Sequence, residues 1–318
     1  MKILLLDKNH PLITEQLSAK GFILEEDFQS SYNDVLKIIN DYDGIIIRSR
    51  IPIDRNFLDY AKNLKFIARV GSGMENIDVE FAKTLGIQLI SSPEGNRDSV
   101  AEHVLGMLLL LIHRLSIASN EVKNGIWKRE ENRGDELLGK TFGIIGYGHM
   151  GKAVAKRLFG FGVRVIFHDI VPNLSDEFGT QVPLETLQKE ADILSIHLPM
   201  TSDTLNYIDE NFISKMEKNF YFINTARGKN VKTSDLVEAL KGEKIKAAAL
   251  DVLEYEKASF ENLDSSTSEN EEINEYLQYL LNAPNVIVTP HIAGWTVQSK
   301  EKLAQIIVDK ILNNFSIS

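Results

Sequence analysis

The feature that most constrains this chain is a cluster of three glycines, Gly146, Gly148 and Gly151, placed between two short apolar segments. The segment before the cluster begins near Lys140 and has the composition of a buried strand, and a helical pattern of apolar residues opens directly after the glycines. A second apolar segment follows and ends at Asp169. Strand, glycines, helix, strand and terminal acid in this order and spacing predict a dinucleotide-binding βαβ unit.

Each glycine has its own physical reason in such a unit. Gly146 permits the tight turn, Gly148 lets the backbone approach a pyrophosphate, and Gly151 lets the helix pack closely on the strand. The N-terminus of the helix offers free N–H groups and the positive end of its dipole to the phosphates. Asp169 would accept hydrogen bonds from the ribose hydroxyls, and no Lys or Arg occurs in residues 170–175 to bind a 2′-phosphate, so NAD is favoured over NADP. Two other interpretations stay open, a glycine-rich turn in an ordinary βαβ unit and a site for S-adenosylmethionine.

Composition narrows the class of protein. At 318 residues the chain is long for one compact core, so two domains are expected. Lys and Arg number 35 against 45 Asp and Glu, and the net charge of −10 argues against nucleic acid or an anionic membrane as the main partner. No Cys is present, which excludes disulfides, thiolate nucleophiles and Cys-ligated zinc, and we predict no metal site. The N-terminus has a run of only four apolar residues before Asp7, too few for a signal peptide, and no apolar run approaches the length of a membrane span, which favours a cytoplasmic enzyme or binding protein.

Strand and helix patterns alternate in two separate series, which predicts an α/β fold of two Rossmann-like, doubly wound parallel-sheet domains. The first series covers residues 1–97, with strands expected at Lys2–Leu6, Gly44–Ile47, Phe66–Val70 and Ile87–Ile90. We expect residues 290–318, which end in an amphipathic helix, to complete this substrate-binding domain, so that it is discontinuous in sequence. Residues 98–289 are expected to form the NAD-binding domain around the glycine cluster.

Two segments of the second series have unusual composition. Ser99-x-x-Glu102 resembles a capping box, and it opens a pattern that predicts one helix over residues 99–119. That helix is apolar on most faces, which indicates burial and suggests a homodimer in which it packs against its twin or the twin's NAD-binding domain. Residues 258–275 are acidic and rich in Ser and Asn, and we expect a mobile loop there.

Polar residues stand where the predicted strands end. In open parallel sheets ligands bind beyond the carboxyl ends of the strands, so such residues share one edge of the sheet. In the second series they are His197, Asn224 to Arg227, Asp251 and His291. In the first series the loops 48–50, 69–73 and 91–97 carry arginines and serines that can line a cleft, although most arginines in loops are simply solvated charge.

Seven segments, taken together and in order, resemble the D-isomer-specific 2-hydroxyacid dehydrogenases, and the resemblance covers nearly the whole chain. These segments are RVGSGMENID (69–78), SVAEH (99–103), GIIGYGHMG (143–151), HLPMTSDT (197–204), NTARG (224–228), ALDVLEYE (249–256) and TPHIAG (289–294). The resemblance implies an NAD-dependent enzyme that transfers a hydride between the nicotinamide and C2 of a D-2-hydroxy acid.

The resemblance also implies a catalytic triad of Arg227, Glu256 and His291. Arg227 offers a planar fork of donors that can bind a carboxylate bidentately and polarise the adjacent carbonyl or hydroxyl. His291 would be the general acid/base, and Glu256 would bond the other imidazole nitrogen and fix its tautomer. The family commonly has Pro where this chain has Lys257, and the acidic segment enlarges the interval before His291. Glu254 therefore stays open as the alternative partner carboxylate.

Further contacts with the cofactor and the substrate follow from the resemblance. Backbone N–H groups of Gly71, Ser72 and Gly73 would bind the substrate carboxylate, and Asp251 would hold the nicotinamide carboxamide. Substrate contacts are completed by Arg48, Ser49 and Arg69. His197 or Thr201 would lie near the adenosine or the phosphates. The full set of other expected cofactor contacts is Gly146, Gly148, His149, Met150, Gly151, Asp169, Pro199, Thr204, Thr225 and Ala226.

The two arginines suggest a substrate. Arg48 and Arg69 stand where phosphoglycerate dehydrogenases of this family hold the substrate's phosphate, and such a pair carries weight in a chain of net charge −10. The resemblance therefore favours 3-phosphoglycerate, oxidised to 3-phosphohydroxypyruvate in serine biosynthesis. With Ser318 as the last residue, the serine-sensing C-terminal domain of some such enzymes is expected to be absent. Two alternatives stay open: a reductase for glyoxylate, hydroxypyruvate or another 2-keto acid, and an NADH-sensing binding protein similar to the transcriptional corepressors built on this scaffold.

Overall fold

The computed structural model describes residues 1–256 and 271–315, within which the chain forms two compact units. The first unit comprises Met1–Arg97 together with the segment that begins at Trp295, and the second comprises Asp98–Gly294. Each unit is built on one parallel sheet, of five strands in the first and seven in the second. The predicted fold of two parallel-sheet α/β domains is therefore confirmed.

The elements of the first unit alternate regularly between strand and helix. They are β1 (Lys2–Leu5), α1 (Leu12–Ala19), β2 (Ile23–Glu26), α2 (Tyr32–Ile38), β3 (Gly44–Ile47), α3 (Arg55–Tyr60), β4 (Phe66–Arg69), α4 (Val79–Thr84) and β5 (Gln88–Ser91). The sheet has the order β2-β1-β3-β4-β5, and all neighbouring strands are parallel. Because side chains alternate along a strand, Leu4 enters the core on one face of the sheet while Ile3 and Leu5 enter the core on the other.

The second unit continues the alternation around the glycine cluster. Its elements are α5 (Arg97–Ile112), α6 (Leu115–Lys123), β6 (Thr141–Ile145), α7 (His149–Leu158), β7 (Arg164–His168), β8 (Thr180–Gln181), α8 (Leu184–Glu190), β9 (Ile193–Ile196), α9 (Glu210–Ser214), β10 (Phe220–Asn224), α10 (Thr233–Lys241), β11 (Ile245–Leu250), α11 (Glu271–Asn282) and β12 (Val286–Val288). The strand order is β12-β11-β10-β9-β6-β7-β8. The order reverses between β6 and β9, which is where ligands bind in doubly wound sheets.

The last helix, α12 (Val297–Asn314), returns the chain to the first unit. Its start is a reciprocal capping box, in which the Thr296 hydroxyl accepts from the Ser299 N–H and the Ser299 hydroxyl accepts from the Thr296 N–H. Leu303, Ile307 and Ile311 then pack in the core on one face of the five-stranded sheet. The first unit is thus discontinuous in sequence.

The single helix predicted over residues 99–119 is wrong, because two helices occupy this stretch. Between them Arg114 adopts a left-handed backbone with φ 55°, and α5 and α6 are bent by 63°. The carbonyl of Ile112 accepts the N–H of Asp135 at 2.8 Å. Gly134 approaches so closely that a Cβ on it would lie 2.5 Å from the same oxygen. The Ile112 carbonyl, which a continuing helix would bond within itself, is therefore bonded by the segment at Asp135.

The capping box expected at Ser99 is also wrong, because α5 begins two residues earlier, at Arg97. Ser99 Oγ instead donates to the carbonyl of Ala293 at 2.6 Å, and Glu102 accepts from Arg157 at 3.3 Å. In the described part of the chain no single helix is long and apolar enough to cross a membrane, and α5 with α6 passes that test only as a bent pair.

The predicted acidic loop is only partly within the described residues. Residues 258–270 lie outside them. For residues 271–275 the loop prediction is wrong, because α11 begins at Glu271. Leu277 and Leu280 on this helix enter the core of the second unit, so an apolar stripe further along the chain decides the conformation of the polar residues before it.

The homodimer stays a prediction. Large apolar side chains are exposed on α6 and the segment after it, and Trp127 is the most open of them at 79%. Others in the same stretch are Leu115, Val122 and Ile126. Exposed apolar groups so close together are typical of a surface that another protein covers.

Candidate active site

The glycine cluster forms a tight turn between β6 and α7. Gly146 has φ 90°, a conformation that L side chains rarely adopt, and a Cβ there would lie 2.6 Å from the His197 carbonyl. A Cβ on Gly151 would overlap the carbonyl oxygen of Gly146. Both positions therefore need glycine so that the helix can start directly against the end of the strand.

Gly148 faces open space and serves as the N-cap of α7. A Cβ at this position would meet nothing within 4 Å, and no side chain caps the helix. The first turn of a helix has N–H groups without intrahelical acceptors and carries a positive partial charge. The turn therefore fits the pyrophosphate of a dinucleotide, with Gly148, His149 and Met150 as the residues that would hold it.

Asp169 is fixed against this turn. Its Oδ2 accepts the N–H of Tyr147 at 2.6 Å, and its Oδ1 accepts the N–H of Val171 at 2.9 Å. The Tyr147 ring stacks on Phe167 with centroids 3.5 Å apart, and its hydroxyl donates to Asp176 at 2.8 Å. The carboxylate therefore has a defined position at the end of β7, the place that suits a ribose acceptor.

Replacing Asp169 by alanine is expected to weaken NADH binding about tenfold to a hundredfold, the loss typical of hydrogen bonds to a charged group. The preference for NADH over NADPH should fall as well, because the repulsion of a 2′-phosphate disappears. Fluorescence titration with both cofactors measures the two effects. Asp176→Ala is the matched control, since Asp176 holds the same loop through Tyr147. An unchanged cofactor preference in the Asp169 variant would show that this carboxylate does not read the ribose.

Two buried polar atoms near this edge have no hydrogen-bond partner among the described residues, His197 Nδ1 and Thr225 Oγ1. The other nitrogen of His197 lies 3.0 Å from Ser195 Oγ. Burial lowers the pKa of His197 to about 4, so the imidazole is neutral at neutral pH. Unpaired polar atoms in a protein interior are costly. Their presence here fits a bound cofactor that supplies the missing partners.

The loop after β9 is closed by its own hydroxyl groups. Thr204 Oγ1 donates to the carbonyl of Pro199 at 2.7 Å and accepts the N–H of Thr201 at 2.8 Å. Ala226 is buried, and its N–H donates to Asn224 Oδ1 at 2.9 Å. Thr201, Thr204 and Ala226 thus make hydrogen bonds that hold their own loops, and their contact with the cofactor stays a prediction.

Arg227 follows β10 at the same edge. Its Nη1 donates to the Ala226 carbonyl at 2.7 Å, and its own carbonyl accepts from Asn224 Nδ2 at 3.0 Å. The next residue, Gly228, is pressed against Leu253, where a Cβ would overlap the backbone. The half-buried guanidinium is therefore carried by a backbone that is held on both sides.

Glu256 and His291 form an ion-pair geometry. His291 Nδ1 lies 2.7 Å from Glu256 Oε2, and both side chains are largely covered, with exposures of 24% and 14%. Glu256 Oε1 is held by the N–H of Leu253 at 2.5 Å. Glu254, the alternative carboxylate, accepts the N–H of Thr233 at 2.9 Å and so caps the start of α10. The structure therefore pairs the histidine with Glu256.

Asp251 organises the turn that carries the histidine. It is 1% exposed, and its carboxylate accepts from the Thr289 hydroxyl at 2.6 Å and from the N–H groups of Ile292 and Ala293 at 2.9 and 2.8 Å. His291 between them has φ 55°, and its N–H donates to the Asp251 carbonyl at 2.8 Å. These bonds tie residues 290–294 to the second unit, whereas the sequence assigned them to the first domain. Contact of Asp251 with the nicotinamide carboxamide stays a prediction.

Arg48 and Arg69 lie side by side in the first unit. Arg69 ends β4, Arg48 follows the neighbouring β3, and Arg69 Nε donates to the Arg48 carbonyl at 3.3 Å. The Arg69 guanidinium fills the place where Gly71 would carry a Cβ. The Arg48 guanidinium lies over the Trp295 ring, 4.2 Å from its centroid. Both cations are therefore positioned at the carboxyl edge of this sheet.

The neighbouring polar residues have different surroundings. Arg50 donates to three backbone carbonyls, those of Leu6, Asp27 and Ser30, at 2.6 to 2.7 Å, which makes it a structural residue. Ser72 Oγ donates to Asn96 Oδ1 at 2.8 Å. Gly73 and Ser49, the remaining predicted substrate contacts, lie partly buried in the same two loops.

Sequence reasoning missed two aromatic residues at these sites. Tyr147 connects the glycine turn to Asp169, and Trp295 carries both Arg48 and Lys300, the latter 4.7 Å from the ring centroid. The signal for Tyr147 was its place inside the glycine cluster, and the signal for Trp295 was its place directly after TPHIAG. In the described ranges no group of three or more His, Asp or Glu side chains could hold a metal ion.

A glycine turn at the switch point of a parallel sheet, an acid that follows the next strand, and an Arg, a Glu and a His at one sheet edge define an NAD-binding dehydrogenase. Residues 105–293 match the family model of the D-isomer specific 2-hydroxyacid dehydrogenase, NAD binding domain. The chain belongs to this family and is an NAD-dependent D-2-hydroxyacid dehydrogenase.

Three known proteins show the range of similarity. A hydroxypyruvate reductase of Thermotoga maritima is 35% identical over 303 residues, which cover 95% of this chain and 92% of the relative. A D-3-phosphoglycerate dehydrogenase of Archaeoglobus fulgidus is 33% identical over 316 residues, and this chain spans only 57% of its length. The crystal structure of a D-lactate dehydrogenase from Aquifex aeolicus, complexed with NAD and lactic acid, is 29% identical with a TM-score of 0.82 and covers 99% of this chain and 96% of its own.

Proposed function

We propose that this dehydrogenase interconverts 3-phosphoglycerate and 3-phosphohydroxypyruvate, as a cytoplasmic enzyme of serine biosynthesis. The observation that carries the proposal is the contact between Arg48 and Arg69 at the ends of two neighbouring strands. Two arginines at the ends of neighbouring strands favour an anion with more than one charge, and arginine binds phosphate oxygens bidentately.

The surroundings of Arg48 support this interpretation. Its guanidinium lies over Trp295, an indole that is 48% exposed, and Lys300 approaches the same ring. Stacking on an aromatic face holds the planar guanidinium in one orientation. In a chain of net charge −10, this local excess of positive charge favours an anionic substrate group.

The acid and base work of the reaction belongs to His291 and Glu256. When bound, NAD accepts the hydride from C2 of the hydroxy acid, and NADH returns it. During oxidation His291 Nε2 takes the proton of the C2 hydroxyl, and during reduction the imidazolium gives it back. Glu256, 2.7 Å from Nδ1, keeps the hydrogen on that nitrogen and stabilises the imidazolium.

Arg227 is the residue that holds the substrate carboxylate. A carboxylate bound bidentately by the guanidinium places C2 in one orientation, and the same charge polarises the oxygen on C2. The polarised carbonyl then accepts the hydride more readily, because negative charge develops on its oxygen.

Replacing Arg48 by alanine is expected to lower kcat/KM for 3-phosphohydroxypyruvate about tenfold to a hundredfold, because one charge-assisted contact with the phosphate is lost. The value for hydroxypyruvate, which lacks the phosphate, should change little. Steady-state oxidation of NADH with both substrates measures the difference. Arg55→Ala is the matched control, because Arg55 also lies in the first unit and over an aromatic ring, that of Phe81 at 4.4 Å. Equal losses on both substrates would reject phosphate recognition by Arg48.

A second candidate is the reduction of hydroxypyruvate or another small 2-keto acid. It is favoured by the Thermotoga maritima relative, a hydroxypyruvate reductase, of which this chain covers 92%. The wild-type protein distinguishes the two candidates through the ratio of kcat/KM for 3-phosphohydroxypyruvate to that for hydroxypyruvate and glyoxylate. A ratio below one would leave His291, Glu256 and Arg227 in their proposed roles and assign the enzyme to the smaller acids.

A further inference from the structure

A cavity of about 220 Å³ lies in the second unit, beside the break between α5 and α6. Its walls are the end of α5, the start of α6 and the first residues of β10, β11 and β12, with Tyr221 in β10, Lys246 in β11 and Asn285 directly before β12. These are the amino ends of the strands, whereas Arg227 and His291 follow the carboxyl ends of β10 and β12. The cavity therefore lies at the opposite edge of the sheet from the proposed catalytic groups.

The lining of this cavity is positively charged. Arg114, Arg133 and Lys246 line it, together with one acidic residue, Asp135. The Asp135 carboxylate is already engaged, since it accepts from the Tyr221 hydroxyl at 3.0 Å. Two ammonium groups also lie near it, that of Lys140, outside the lining, at 3.5 Å and that of Lys246 at 3.9 Å. The cations of the lining therefore exceed the acidic charge.

The surroundings of Asp135 keep that carboxylate ionised. Burial acts against ionisation, but the Tyr221 hydroxyl and the ammonium groups of Lys140 and Lys246 outweigh it and hold the pKa of Asp135 below its ordinary value. Arg133 also pairs with Glu130, whose side chain is 76% exposed and does not line the cavity. Arg133 is equally exposed, so water screens its charge and its contribution to the cavity is smaller than that of Arg114 and Lys246.

Arg114 adds a buried donor. Its Nε has no hydrogen-bond partner among the described residues and is closed to solvent. A buried N–H without an acceptor is unfavourable, and a ligand oxygen would relieve it. Arg114 is also the N-cap of α6, and no side chain caps this nine-residue helix. Ser116 and Ile117 of its first turn line the cavity, so the positive end of the helix dipole adds to the three cations.

We propose that this cavity is a binding site for a small oxyanion with two or more charges, of which inorganic phosphate is the simplest example. A cavity of this volume has room for a phosphate group or a short phosphorylated or dicarboxylic acid. Arg114 and Lys246 bind the oxyanion directly, and Arg133 adds charge at the rim.

Titration calorimetry of the full chain with inorganic phosphate, in phosphate-free buffer and with NADH bound, tests the proposal. Arg114→Gly and Lys246→Met should each weaken phosphate binding about tenfold or more, because each removes a charge-assisted contact. Glycine suits the left-handed backbone at position 114, so the turn between α5 and α6 should persist, which circular dichroism checks. Lys241→Met is the control. Lys246 lies 5.5 Å from the ring centroid of Tyr221, and Lys241 lies at the same distance from that of Tyr279 but does not line the cavity.

Arg48→Ala separates this site from the proposed substrate site. The phosphate isotherm should survive this substitution and the Lys241 control, and its loss in Arg48→Ala alone would overturn the proposal. Wild-type affinity in both Arg114→Gly and Lys246→Met would do the same. A wild-type protein that binds no phosphate at millimolar concentration would also overturn the proposal. If Arg114→Gly then changes the mass measured by light scattering, a second copy of the chain covers the cavity instead.

Discussion

His291→Ala is expected to lower turnover by about 10²- to 10⁴-fold, the range that general acid/base groups contribute. The loss should appear in kcat for every accepted substrate, because each one needs the proton at the same oxygen. NADH binding should stay near the wild-type value, since the imidazole belongs to the turn after β12 and not to the glycine turn after β6. Single-turnover kinetics and an NADH fluorescence titration measure the two quantities.

The two neighbouring carboxylates provide a control within the same turn. Glu256→Gln should reduce kcat, because the amide cannot stabilise the imidazolium as the carboxylate 2.7 Å from Nδ1 does. Glu254→Gln removes an equal charge two residues away but leaves the histidine pair intact, so it should affect the stability of α10 more than the rate. A greater loss of activity in the Glu254 variant than in the Glu256 variant would show that Glu254, and not Glu256, is the functional partner of His291.

Arg227→Ala is expected to lower kcat/KM by about a hundredfold or more, because at least two charge-assisted hydrogen bonds to the carboxylate disappear together. Both KM and kcat should change, since the guanidinium binds the carboxylate in the ground state and polarises the C2 oxygen in the transition state. Steady-state kinetics with a saturating cofactor separates the two parameters.

Arg227→Lys tests whether the fork geometry matters. Lysine keeps the positive charge but cannot bind a carboxylate bidentately, so most of the loss should remain. Arg164→Ala is the control for a missing guanidinium in the same unit, because Arg164 pairs with Glu190 at the amino end of β7, at the opposite edge of the sheet from Arg227. A lysine variant with wild-type kinetics would indicate that Arg227 acts through charge alone.

Most of the fold could be predicted because the strands that build the two sheets are continuous apolar segments between helical patterns. The strand β2 escaped this reasoning, since Ile23–Glu26 is an edge strand with three exposed residues and ends in two glutamates. The break at Arg114 escaped it as well. Its cause is the bond between Ile112 and Asp135, and no local pattern in residues 99–119 contains that partner.

The site, too, could be predicted from the sequence only in part. Parallel strands bring their carboxyl ends to one edge, so residues after β10, β11 and β12 could be grouped before the structure was known. The choice between Glu254 and Glu256 could not be made from spacing, because it depends on which carboxylate the turn directs at His291. Trp295 was missed because a single aromatic residue in a loop has no periodic pattern, and its meaning comes only from the arginine that stacks on it.

The carboxylate of Asp251 ties His291, the proposed proton-transferring residue, to the end of the sheet. This carboxylate binds the Thr289 hydroxyl before His291 and the N–H groups of Ile292 and Ala293 after it, and the Asp251 side chain is 1% exposed. The amide hydrogens of Ile292 and Ala293 should therefore exchange with solvent only when the end of β11 opens. The imidazole would then keep its position until the second unit unfolds cooperatively, and heating should abolish proton transfer and sheet structure at one temperature.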